Sequence, residues 1–141
     1  MPPFRQGREG LYAATHWRLS NDNDFIYGGF DAFRNYDGAN GTFGDTSIRA
    51  SNTDVAAASV YASVNAGIAD RMVIVAIDKN DAAQTAGISV MHTAQFNRAE
   101  VYTLTSANSA PQRQSDINIT LTNAFQYAMP ANSVTTLVLL P

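Results

Sequence analysis

With 141 residues, 45% of them hydrophobic and 15% charged, the chain can bury one sizeable core and is too apolar to be disordered. A net charge of −3 with nine scattered basic residues provides no basic stripe, which excludes nucleic acid as an expected partner. Cysteine is absent, which excludes disulfides, thiolate metal sites and cysteine nucleophiles. No membrane partner is expected either, because the longest apolar run, Met72 to Ile77, is far shorter than the roughly 20 residues of a membrane-spanning helix. The opening residues show no signal-peptide pattern.

Taken in chain order, Gly10 to Trp17 reads as one buried strand. Phe25, Ile26, Phe30, Phe33 and Tyr36 are spaced by threes and fours, which predicts a short amphipathic helix over 25–36, although Gly28-Gly29 weakens it by roughly 1 kcal/mol per glycine. Asp37 to Gly41 breaks that helix, and the Gly38 to Gly44 stretch is expected to act as a hinge. The rest reads as strands separated by Asn, Ser, Gly and Pro clusters: Val60 to Val64, Arg71 to Ile77, Ala86 to Met91, Arg98 to Leu104, Ile117 to Leu121, Phe125 to Met129 and Val134 to Leu140. Arg71 to Ile77 is apolar almost throughout and should be a central strand. Ser106 to Gln112, with Pro111, reads as a turn cluster between strands. The predicted class is all-β, an antiparallel β-sandwich of about seven to eight strands with a short N-terminal strand and helix segment.

Three stretches and the strands after them carry a resemblance. Residues 7–17 (GREGLYAATHW), 33–38 (FRNYDG) and 43–47 (FGDTS), followed by strands Val60 to Val64, Arg71 to Ile77 and Ser133 to Leu139, resemble the C-terminal part of glycoside hydrolase family 44. The resemblance implies that residues 1–50 are the remnant of the last βα unit of a TIM-like barrel, rearranged in part, and that 51–141 is the β-sandwich domain. It implies endo-β-glucanase and xyloglucanase relatives that are secreted, with a retaining mechanism run by two glutamates of the barrel. Neither glutamate has a counterpart here, so the chain is not expected to be active alone. It further implies that Trp17 stands where such enzymes stack a sugar ring, with Tyr12 of the same segment as a second substrate-binding candidate.

Read on their own, the remaining candidates are few. Glu9, His16 and Asp45 are the residues a newly assembled hydrolytic site would draw on, since a glycosidase needs two carboxyl groups about 5–10 Å apart. The plainer reading of Glu9 is an ion pair with Arg5 or Arg8. Two histidines and no HExxH pattern give no expected metal and no cofactor. Asp78 to Asp81 and Asp22 to Asp24 have the chemistry of calcium loops but lack the EF-hand spacing, and both read as polar turns. Tyr61, Tyr102, Phe125 and Tyr127 could form a sugar-binding face or pack as core.

Three functions follow: an accessory domain supporting an absent β-glucan-hydrolysing barrel, a carbohydrate-binding module for β-glucans, or a small glycoside hydrolase with its site at an oligomer interface. Surfaces around Tyr12, Trp17, Phe30 and Phe33 are expected to lie uncovered, making a homo-oligomer the expected assembly and β-glucan the expected ligand.

Overall fold

The computed structural model describes residues 23–141. One helix, α1 (Asp24–Arg34), is followed by eight strands: β1 (Thr46–Ile48), β2 (Ala58–Asn65), β3 (Ile68–Asp78), β4 (Gln84–Ser89), β5 (Arg98–Thr105), β6 (Asn108–Asn118), β7 (Ala124–Met129) and β8 (Ser133–Leu140). Six form one antiparallel sheet in the order β1-β2-β3-β8-β5-β6, and β4 pairs with β7 in a second layer. The all-β sandwich read from the sequence is therefore the observed class, and β3 is central as its apolar run predicts.

Side chains alternate across the large sheet and bury both of its faces. Met72 and Ile74 of β3, Ala99 and Val101 of β5, and Leu137 and Leu139 of β8 meet Phe125 from the second layer. Phe96 and Ile119, from the connecting loops, complete that core. Three hydroxyl groups stitch the layers together: Thr103 Oγ1 lies 3.1 Å from Tyr127 Oη and 3.2 Å from Thr135 Oγ1, and Tyr127 Oη lies 3.1 Å from Thr135 Oγ1. Burying hydroxyls between sheets is tolerable only because each is paired.

The opposite face carries α1. Ala32 and Phe33 pack on Val75, while Tyr36 packs on Val73 and Val138. Thr136 Oγ1 donates to the carbonyl of Ala32 at 2.6 Å, pinning the helix to the middle strand. Gly28 has a specific reason to be glycine, because a Cβ there would stand 1.9 Å from the Ser109 carbonyl oxygen of β6. The residue that weakens the helix in isolation is the one that lets it lie against the sheet. Phe33, expected on an uncovered surface, is buried at 4% exposure with its ring 5.9 Å from that of Tyr61.

The chain between α1 and β1 is tied down rather than loose. Asp37 Oδ1 accepts from the N–H groups of Ala39 and Gly41, Asn35 Oδ1 accepts from Asn40, and Phe43 N–H donates to Phe33. The proposed hinge over Gly38 to Gly44 is thus a bonded turn, in which Gly38 takes a φ of +71°.

Two strand assignments need correction. The strand expected over Ile117 to Leu121 is instead β6, which runs from Asn108 through the supposed turn cluster and ends at Asn118. It is an edge strand with mostly exposed residues, so it has no apolar alternation to read. Pro111 falls in its register shift opposite Thr103 to Thr105, where a missing N–H costs no ladder bond. Ile119 drops into the core beyond the strand, and Leu121 is exposed. The strand expected over Ala86 to Met91 lies two residues earlier, at Gln84–Ser89, and Met91 projects into solvent.

Candidate functional site

The densest group of titratable side chains sits where β5 and β6 meet the end of α1. Register brings Tyr102 opposite Arg113, whose guanidinium carbon lies 5.2 Å from the Tyr102 ring centroid. Tyr102 in turn packs on Tyr36, with ring centroids 5.0 Å apart. Tyr36 Oη accepts from Arg71, and Tyr102 Oη donates to Glu100 Oε2 at 3.2 Å. Arg98 bridges two carboxylates, Glu100 at 3.8 Å and Asp116 at 3.5 Å, and Arg113 also pairs with Asp116.

The electrostatics follow from these contacts. Burial pushes the Tyr36 phenol above its ordinary value, against the opposing pull of Arg71. Burial, reinforced by Glu100, does the same to Tyr102. The Asp116 carboxylate holds the Arg113 proton more tightly than usual. Both carboxylates are already spoken for by guanidinium groups. The cluster is best suited to holding an edge strand in register and covering its open side with charge, a recognised defence against edge-to-edge pairing.

Asp45, a candidate for hydrolysis, is exposed at the entry to β1. Its Oδ1 accepts from Ala66 N–H at 2.9 Å and from Thr46 Oγ1 at 2.8 Å. Those bonds, the one from Ala66 foremost, hold its carboxyl below the usual carboxylate range. Asp45 N–H donates to Asn65 Oδ1, and Gly44 N–H to Ser63 Oγ, so this carboxylate fastens a short edge strand to the β2–β3 turn. Glu9, Tyr12, His16 and Trp17 lie outside the described residues, and none can be placed beside Asp45.

The Asp78 to Asp81 segment forms a turn. Asp78 is buried, and its Oδ1 accepts from both the backbone and the side-chain nitrogen of Asn80, while Asp81 is engaged by Asn132. Asp78 Oδ2 is buried and has no hydrogen-bond partner among the described residues. Among the described residues no three His, Asp or Glu side chains gather as metal ligands. The four aromatics do not share one exposed face: Tyr61 and Tyr102 lie on the α1 side, whereas Phe125 and Tyr127 belong to the second layer. The sequence offers no signal for the Arg98 bridge, because it depends on a pairing register that neither strand states alone.

A six-stranded antiparallel sheet with a two-stranded layer on one face and a helix on the other is the architecture of a β-sandwich domain. Comparison with known proteins makes the resemblance specific. No protein-family model matches the chain. Endoglucanase A of Paenibacillus lautus is 28% identical over 134 residues, which is 94% of this chain but 19% of that protein. Among solved structures, the glycoside hydrolase family 44 xyloglucanase of Paenibacillus polymyxa superposes with a TM-score of 0.92 at 28% identity, covering 96% of this chain and 27% of that one. A family 44 endoglucanase from Clostridium thermocellum gives a TM-score of 0.90 at 29% identity, covering 96% and 26%. The chain is thus similar to a portion of family 44 glycoside hydrolases and spans about a quarter of the length of those two solved enzymes, as their C-terminal part would.

Proposed function

We propose that this chain is the accessory β-sandwich of a β-glucan-hydrolysing enzyme, whose work is to pack against a catalytic barrel and stabilise it. The observation that carries this reading is the superposition of nearly the whole chain on about a quarter of a xyloglucanase, which is how a structural module of a larger enzyme behaves. The engagement of Asp45, Glu100 and Asp116 in turn and strand contacts agrees with it.

The test combines this chain with the catalytic portion of a family 44 enzyme from which its own sandwich has been removed. Added chain should raise the thermal stability of that portion and restore reducing-sugar release from β-glucan and xyloglucan. The chain alone should release no sugar. Release that follows the purified chain through successive columns would overturn the accessory role.

A further inference from the structure

The outward face of α1 has no counterpart covering it among the described residues. Ile26 and Phe30 stand one turn apart, and Tyr27 is three residues from Phe30, so these side chains share the face turned away from Gly28 and Ala32. Ile26 and Tyr27 are 39% and 44% exposed and Phe30 is half-buried, whereas Phe25, also exposed, lies on the Gly28 side near Leu104 and Val134. The other large exposed apolar residues, Val55, Ile68, Met91 and Leu121, are scattered singly over turns and strand ends. A contiguous apolar patch on a helix already packed on its other side marks a contact surface.

The charges at the two ends of the helix indicate the occupant. Asp24 opens the first turn and Arg34 closes the last, both exposed, and neither forms an ion pair with another described residue. Ten residues separate them, about 15 Å at a rise of about 1.5 Å per residue. An interface between identical copies must be self-complementary about a two-fold axis. With the axis crossing between the copies at the level of Gly29, an antiparallel pair of α1 helices brings each Asp24 to the same end as Arg34 of the other copy and sets the two apolar patches face to face. A parallel arrangement would bring like charges together.

We propose that this chain forms a two-fold dimer through α1, with Ile26, Tyr27 and Phe30 at the centre and two Asp24–Arg34 pairs at the rim. This inference is tested apart from the accessory role, because it is read from the association of the chain alone, with no catalytic portion present to cover the same face. Sedimentation equilibrium of the full chain over a wide concentration range should show a monomer–dimer equilibrium. Ile26→Glu and Tyr27→Glu, both surface changes, should each weaken it by about tenfold or more while leaving circular dichroism unchanged.

Asp24→Arg and Arg34→Asp should each weaken the dimer, and the double exchange should recover it. A wild-type chain that stays monomeric throughout overturns the proposal and leaves the face to a different occupant, such as the catalytic portion of a hydrolase. A dimer indifferent to both glutamate substitutions, or one that the double exchange fails to recover, overturns it as well.

Discussion

The two faces of the six-stranded sheet are buried by different means. Beneath β4 and β7, the contact is a continuous aliphatic layer in which Met72, Leu137 and Leu139 are almost wholly excluded from solvent. Beneath α1, the apolar contact breaks into two smaller groups, and individual polar links join them: Thr136 to Ala32 and Arg71 to Tyr36. The first face draws its stability mostly from area and fill, with one paired hydroxyl triad inside it. The second depends on placement, so a small change at one atom can lift the helix without disturbing the sandwich.

That contrast can be broken in graded ways. Leu137→Ala, at 0% exposure in the middle strand, should cost about 3–5 kcal/mol in chemical denaturation and loosen the whole domain. Gly28→Ala should cost less, about 1–3 kcal/mol, because the new Cβ drives α1 away from the Ser109 carbonyl. Its signature is regional: hydrogen exchange should rise in α1 and β6 and stay unchanged in β3 and β8. A uniform rise would show that the helix and the sandwich do not separate.

Tyr36→Phe should cost about 1 kcal/mol near neutral pH by removing the acceptor for Arg71. It should also alter the alkaline limb. The folded-state pKa of Tyr36 is raised above 10.0, so its contribution is fully present below the unfolded value and is lost as pH rises through the folded one. The melting temperature of the variant should therefore fall less steeply above pH 10 than that of the wild type. Asp45→Asn should have the smallest effect, visible in the acid limb. The folded pKa there is lowered, so the stabilisation is present above the ordinary carboxylate value and disappears as pH falls through the folded one. A thermal melt series on the acid side should be flatter in this variant, with neutral stability little changed.

How far the sequence could be read follows the same division. The runs of β3 and β8 announce themselves because both of their faces are buried, and the three-and-four spacing of Phe25 to Phe33 reveals the helix despite its glycines. β6 was hidden because an edge strand has little core to face, so its Gln, Ser and Arg residues resemble a loop. β1 was hidden for another reason: three residues are too few for a pattern, and its entry is held by Asp45 N–H donating to Asn65 Oδ1 and Asp45 Oδ1 accepting from Ala66 N–H. Asp45 was noticed as a carboxylate, but its engagement with Ala66 depends on a turn 21 residues away. The Arg98, Glu100, Arg113 and Asp116 network required the β5–β6 register, which no local pattern encodes.

The position of β8 also bears on how the molecule comes into being. This strand is made after the other seven, yet it lies between β3 and β5 and bonds to both. Until it emerges from the ribosome, the large sheet exists only as two fragments, β1-β2-β3 and β5-β6, each with an interior edge open to the wrong partner. Closing the sheet must wait for contacts far apart in sequence, which slows folding relative to a domain built from local contacts. Deleting Ser133–Leu140 would thus remove the keystone that joins the two halves, leaving most of the residues and no completed sheet.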